Sequence, residues 1–399
     1  MEGIGKYLLN SISNHEVEVA TLDFFKKNLE IGWYRSISFL QRLMNKNDTA
    51  LQYLNILIEK NLASARDWQA VGCIYEKKKV WDKAAHALTQ AVERSARNPQ
   101  YLFHLGLVEE KAGNVQNAEN MYNEALQQNH SLIGAVAAKG QLLYKKGIYK
   151  EAVECFKKCL EHRKKDASIE NNLGMCYLHL NEFKEALNCF KTAAEYQPSD
   201  REILFNLATV NIKLGEYRLA IEILNSIKDP CNFAVVMALG YCFGNIGEYK
   251  ESLEYYHKAL TMSGDNREIL INISSIYAKS GESKRALNIL HKLLSVNPYD
   301  IELLNNIAWV YEQQNEYGDA EMLYYRGLAI STGNPCLAYN LICCLKRQRK
   351  YFEALDLVGY LKRVPEWQNM GWSVLAQIYE HLGADKQAAA CYNKALGLE

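Results

Sequence analysis

The sequence predicts an all-α solenoid of about eleven tandem helix-turn-helix hairpins. Three observations carry this: an alanine that returns at a fixed interval, two apolar stripes at helical spacing in each interval, and Gly or Asn between them. Alanine stands at Ala50, Ala84, Ala118, Ala152, Ala186 and Ala220, and again at Ala286, Ala320, Ala354 and Ala388. Each step is 34 residues, apart from one 32-residue step from Ala220 to Ser252. A fixed period of this length is the mark of stacked supersecondary units.

The copies begin near residues 31, 65, 99, 133, 167, 201, 233, 267, 301, 335 and 369. Counted from each start, position 7 is Leu or Ile at Leu105, Leu173, Leu207, Leu239, Ile273, Ile307 and Leu375. Position 8 is small at Gly72, Gly106, Gly140, Gly174, Ala208, Gly240, Ala308 and Ala376. Position 11 is aromatic in six copies, Tyr311 among them, and position 4 is Trp68 or Trp372 in two. Positions 4, 7, 8 and 11 form one stripe of a first helix. Positions 20, 24 and 27 form the stripe of a second, with Tyr122, Phe156, Phe190, Tyr256, Tyr324 and Tyr392 at position 24. Position 15 between the stripes is Gly at Gly113, Gly147, Gly215, Gly247, Gly281 and Gly383, and Asn at Asn45, Asn181 and Asn315. These residues accept the left-handed conformation that ends a helix. A hairpin of this kind cannot bury its apolar faces alone, so it stacks on its neighbours.

The two ends depart from the pattern. In the first copy Tyr34, Ile37, Ser38 and Gln41 stand at positions 4, 7, 8 and 11, a degenerate match. Residues 1–30 hold apolar helical stretches and are expected to be an N-terminal helical cap or an eroded repeat. The last copy reaches Glu399 with no polar capping helix after it. Another molecule covering that end, or a longer chain, is the expectation there.

Composition narrows the function. The chain is 49% hydrophobic with only 6 Pro, and no linker-like stretch divides it. Its 46 basic and 46 acidic residues balance, which argues against nucleic-acid binding through a broad basic field and against a polybasic membrane-surface protein. No leader pattern and no apolar run of bilayer-spanning length occur, so no membrane insertion is expected. The 11 scattered cysteines suit buried thiols in a reducing, cytoplasmic setting.

The 34-residue period, the small residues at 8 and 20 and the aromatics at 11 and 24 resemble the tetratricopeptide repeat family over residues 31–399. The resemblance implies a right-handed superhelix, with first helices lining a concave groove and second helices outside.

No catalytic motif is found: no phosphate loop, no GxGxxG after a strand, no GxSxG and no HExxH. The protein is therefore not expected to be an enzyme, and no cofactor is expected. Cys155 and Cys159 lie four residues apart with His162 close behind, but structural zinc usually takes four ligands, and Cys159 holds a core position. No metal site is expected.

Binding is better marked. In the resembled family the groove is lined from positions 2, 5, 6, 9, 12 and 13. Position 6 is Asn172, Asn206, Asn272, Asn306 and Asn340 in five of six consecutive copies, with Ala238 in the shortened one. Asn is a mediocre helix former, so the series is not a propensity choice. A primary amide offers a donor and an acceptor, which match a peptide backbone whatever its side chains. The row is similar to the asparagine ladder in the superhelical arm of O-GlcNAc transferase. It can equally bond the neighbouring repeat and set the stacking. Phe205, Tyr241, Trp309 and Tyr339 at positions 5 and 9, with Tyr144 at position 12, are candidate anchors or packing between first helices. Position 13 is Lys77, Lys111, Lys145, Lys213, Lys279 or Arg347, where the helix dipole favours a cation. The two-carboxylate clamp of chaperone-binding family members would need Lys at position 5 and Asn at position 9 of one copy, and no copy has the pair.

The expected function is a protein-interaction scaffold that holds an extended or helical segment of a partner in the groove. The alternatives are the substrate-recruiting arm of a larger enzyme such as a glycosyltransferase, or a homodimeric scaffold joined through uncapped ends.

Overall fold

The computed structural model describes residues 26–162, 165–228, 232–264 and 266–398. All regular elements among them are helices. The chain divides into two compact units, Met1–Ile203 and Leu204–Glu399. In the first, α1 runs over 26–43, followed by α2 (Asn47–Glu59), α3 (Ala65–Lys77), α4 (Trp81–Glu93), α5 (Pro99–Lys111), α6 (Val115–Gln128), α7 (Ile133–Lys145), α8 (Tyr149–His162), α9 (Ala167–His179) and α10 (Phe183–Tyr196). Next come α11 (Arg201–Lys213), α12 (Tyr217–Ser226), α13 (Phe233–Asn245), α14 (Tyr249–Ser263), α15 (Arg267–Lys279) and α16 (Ser283–Val296). The chain continues through α17 (Ile301–Gln313), α18 (Tyr317–Ile330), α19 (Pro335–Arg347), α20 (Tyr351–Leu361), α21 (Gln368–His381) and α22 (Asp385–Ala395). The shortest second helix, α12, lies within the 32-residue step. The expected cap or eroded repeat over 1–30 lies outside the described residues except for 26–30, which are the start of α1.

Eight of the first helices start where a side chain caps them, while α7 and α21 have no side-chain cap. Ser64, Asn98, Asp166, Asp200, Asn232, Asn266, Asp300 and Asn334 each accept a backbone N–H from the first turn that follows. They end at position 15, which has φ near +60 to +90° throughout, from Asn45 (61°) to Gly113 (88°) and Gly383 (74°). At Gly113 the closing bonds run from Gly113 N–H to Glu110 O at 3.0 Å and from Asn114 N–H to Glu109 O at 2.9 Å. The chain reverses there and the second helix packs back on the first.

Close approach explains the small residue at position 8. A Cβ on Gly106 would sit 2.6 Å from the Tyr122 ring, and one on Gly174 would sit 2.7 Å from Phe190. The position-24 rings of Tyr122, Phe156, Phe190, Tyr256 and Tyr324 are fully buried over this face, and each brings a large apolar area into the core. The repeating alanines at position 20 are buried as well; Ser252, in place of the missing one, donates its hydroxyl to Gly240 O at 2.7 Å. First helices of neighbouring hairpins also touch, α5 with α7, α7 with α9 and α15 with α17. The polar residues on that row therefore face each other from one repeat to the next.

Candidate functional site

In the second unit, Asn272 on α15 and Asn306 and Trp309 on α17 line one cavity of about 260 Å³, together with Ile271, Ser275 and Glu302. Position 6 of one first helix and positions 6 and 9 of the next thus share a single recess. Both amides are half-buried, and neither bonds to another described residue. Trp309 packs on the cluster that holds Leu303, Leu304 and Ile307 and also lines the recess. Glu302 is held at the rim by Arg267, 2.8 Å away, which also reaches Asp300 at 2.7 Å.

The other position-6 amides are placed differently. Asn340 donates to Asn305 Oδ1 at 2.7 Å, a bond from one first helix to the previous one. Asn206 is almost wholly buried, with 9% of its surface exposed, so it belongs to the packing between helices. In the first unit Asn172 is half-buried, next to Asn171, whose amide donates to Glu202 at 3.5 Å.

The candidate aromatics also divide. Tyr144 is occupied: its hydroxyl meets His179 Nε2 at 3.0 Å, and His179 stacks flat on Tyr149 at 4.5 Å. Tyr339 leans on Trp367, ring centres 5.8 Å apart, and Phe205 packs on the core of α11, α12 and α13. Tyr241 is the exposed one, 46% accessible, edge-on to Tyr217 at 6.2 Å. Burial, then the neighbouring Tyr217, raises the pKa of its hydroxyl.

Three of the position-13 cations reach across repeats. Lys111 pairs with Glu76 at 2.7 Å, Lys145 with Glu110 at 2.6 Å and Arg347 with Glu312 at 2.9 Å, each a position-12 carboxylate one repeat earlier. Glu110 also accepts the hydroxyl of buried Tyr122 at 2.9 Å. Glu312 is nearly buried, and burial pushes its carboxyl up despite Tyr324 and Arg347.

Family models for the tetratricopeptide repeat match residues 76–131, 134–166, 167–200, 234–266, 301–332 and 371–399, together more than half of the chain. The chain belongs to the tetratricopeptide repeat family. Among solved structures it is similar to yeast Tom70, with 14% identity and a TM-score of 0.53 over 94% of this chain and 93% of that one. It is also similar to a tetratricopeptide repeat protein from Parabacteroides merdae, with 17% identity and a TM-score of 0.50 over 62% of this chain and 98% of that one. At such identities the likeness concerns the fold. No curated protein matches the chain.

Two features of these tetratricopeptide repeats escaped the sequence reading. One is a cavity of about 760 Å³ lined by Lys346, Arg347, Arg349 and His381, with Cys343 and Tyr351. Its basic side chains come from the last turn of α19, the following turn and the end of α21, and no linear run of charge announces it. The other is a group of Cys73, Glu76 and His104, whose ligand atoms lie within 4.8 Å of one another. Its members are spread over two repeats. Cys155, Cys159 and His162 do not converge: Cys159 is buried in the core and His162 is exposed. The described cysteines are all free thiols, and no described helix is long and apolar enough to cross a membrane.

Proposed function

We propose that the protein is a non-enzymatic interaction scaffold whose repeats over 31–399 hold an extended segment of a partner protein on their first-helix face, centred on Asn272, Asn306 and Trp309. The observation that carries this is the shared recess between α15 and α17, lined by two unbonded amides and one indole. Each amide offers both a donor and an acceptor to a peptide unit. Packed helices stand about 8–10 Å apart and an extended chain advances about 3.3 Å per residue, so successive amides meet every third residue or so. Binding of this kind reads backbone and tolerates sequence, while Trp309 takes an apolar side chain. Tyr241 extends the same face as a further anchor.

The test uses segments of captured partner proteins as synthetic peptides, with and without backbone N-methylation. Asn272→Ala/Asn306→Ala should weaken binding roughly thirtyfold, about 2 kcal/mol for the bonds of two amides, with unchanged thermal stability. N-methylation should weaken wild-type binding and add little in the double variant. Equal affinity of the double variant for the unmodified peptide would remove the proposal.

A further inference from the structure

Cys73 and Glu76 lie three residues apart on α3, on one face, and His104 stands opposite on α5 in the next hairpin. All three are half-buried. His104 Nε2 is 3.2 Å from Glu76 Oε2. A tetrahedral ion with bonds of about 2.0–2.3 Å holds neighbouring ligand atoms roughly 3.3–3.7 Å apart. The His–Glu pair is thus already at ligand spacing, and the thiol has to close by about 1 Å at most, within reach of a side-chain rotation.

We propose that Cys73, Glu76 and His104 bind a divalent transition-metal ion of the zinc class, clipping α3 to α5. The donor set of one sulfur, one imidazole nitrogen and one carboxylate oxygen suits zinc and its neighbours, and excludes magnesium and calcium, which take oxygen ligands. Lys111 engages the other carboxylate oxygen, Glu76 Oε1, at 2.7 Å. That leaves Oε2 as the single ligand oxygen, oriented by its partner as metal-bound carboxylates are. Among the described residues the group has three members, so a fourth coordination position is left for water or for a donor of a bound segment.

Binding replaces the thiol proton: Cys73 S–H and the ion become a thiolate–metal bond and one proton released to solvent. Burial holds the Cys73 thiol above its ordinary value, with Glu76 adding to it and Arg42 and Lys77 opposing. The positive charge of Lys111 also opposes the ion. Affinity therefore rises with pH as the thiol gives up its proton.

The test uses the full chain, reduced and metal-free. Titration with cobalt(II) should give one equivalent of tight binding with a thiolate-to-cobalt charge-transfer band, displaced by zinc. Cys73→Ser should abolish the band, and His104→Ala and Glu76→Gln should each weaken binding at least about tenfold. Zinc should raise the melting temperature of wild type by several degrees and leave Cys73→Ser unmoved. A band of full strength in Cys73→Ser would place the ion elsewhere. No tight equivalent in wild type would leave Lys111, Glu76 and His104 a purely structural ion-pair group. Either result overturns the proposal, and Glu76→Gln, which keeps size and the carbonyl acceptor, supplies the decision if the serine variant does not fold.

Discussion

In the last turn of α5, Glu110 takes the Tyr122 hydroxyl at 2.9 Å and Lys145 at 2.6 Å, while Lys111 reaches back to Glu76 at 2.7 Å. In the middle turns of α15 and α17, Asn272 and Asn306 face a recess and bond to no described residue. Both sets lie on first helices, at positions the hairpin core does not use. They differ in who supplies the partner. Where position 12 is a carboxylate, at Glu76, Glu110 and Glu312, it meets position 13 of the next repeat, so those contacts close on themselves and tie neighbouring repeats together. Position 6 can close on itself too, as Asn340 does through Asn305, but between α15 and α17 it is left open. A polar residue on this face is thus a stacking group where its neighbour answers it and a ligand group where it does not.

Breaking the closed row should have the largest effect. Glu110→Ala strands the hydroxyl of a fully buried tyrosine and releases Lys145. We expect a loss of about 2–3 kcal/mol in chemical denaturation. Adding Tyr122→Phe removes the stranded group and should restore about 1 kcal/mol of it. A double variant no more stable than Glu110→Ala would show that the hydroxyl is not the group at risk.

A second closed contact lies at the start of α3, where Arg35 of α1 grips Asp67 at 2.7 and 3.0 Å and Ser64 completes a capping box. Burial drives the Asp67 carboxyl up, but Arg35 and Ser64 outweigh it and hold it below its ordinary value. The stability it confers is therefore complete above the unfolded-state value, near pH 4, and is lost as pH falls through the lower folded value. Asp67→Asn should cost about 2 kcal/mol at neutral pH, and its difference from wild type should shrink below pH 4. Glu76 and Glu124 are lowered as well, so the difference between the two chains, not the acid limb itself, isolates Asp67. A difference that stays constant from pH 7 to pH 3 would rule out this account.

Asn340→Ala sets the two roles side by side. It removes the bond to Asn305 and should lower stability by about 1 kcal/mol while leaving peptide affinity near wild type. Asn272→Ala/Asn306→Ala should do the reverse. If all three act alike, open and closed positions are one class.

The repeat architecture was legible because most copies spend the same residues on it: alanine at 20, a small residue at 8, in six copies a ring at 24, and Gly or Asn at 15. The caps were legible in principle, since Asp166, Asp300 and Asn334 each stand one residue before a predicted start, but they lie outside the positions that the apolar period picks out. The position-6 series was visible as five asparagines. Its division into open, bonded and buried members was not, because that depends on what the next repeat presents: Asn305 below Asn340, Trp309 beside Asn306. The dipole argument for Lys111 and Lys145 pointed to a structural role and missed the partner, a carboxylate 35 residues earlier. The Cys73, Glu76 and His104 group and the basic cavity of α19 and α21 share that obstacle, since both are assembled across repeats.

Position 15 offers the smallest and most local comparison. Lys79 and Arg349 adopt φ of 58° and 61° where six other copies use Gly. A left-handed L-residue bearing a long side chain costs about 1–2 kcal/mol, part of which Gly returns as unfolded-state entropy. Lys79→Gly should therefore raise stability by about 0.5 kcal/mol, and Arg349→Gly should do the same. The two differ in surroundings: Arg349 lines the basic cavity with Lys346 and His381, so its replacement also removes a cation from that recess. Equal gains, read as equal shifts in denaturation midpoint, mean that both residues are merely strained. A larger gain at Arg349 means that crowding of like charge around the cavity adds to the strain, which strong salt should then reduce.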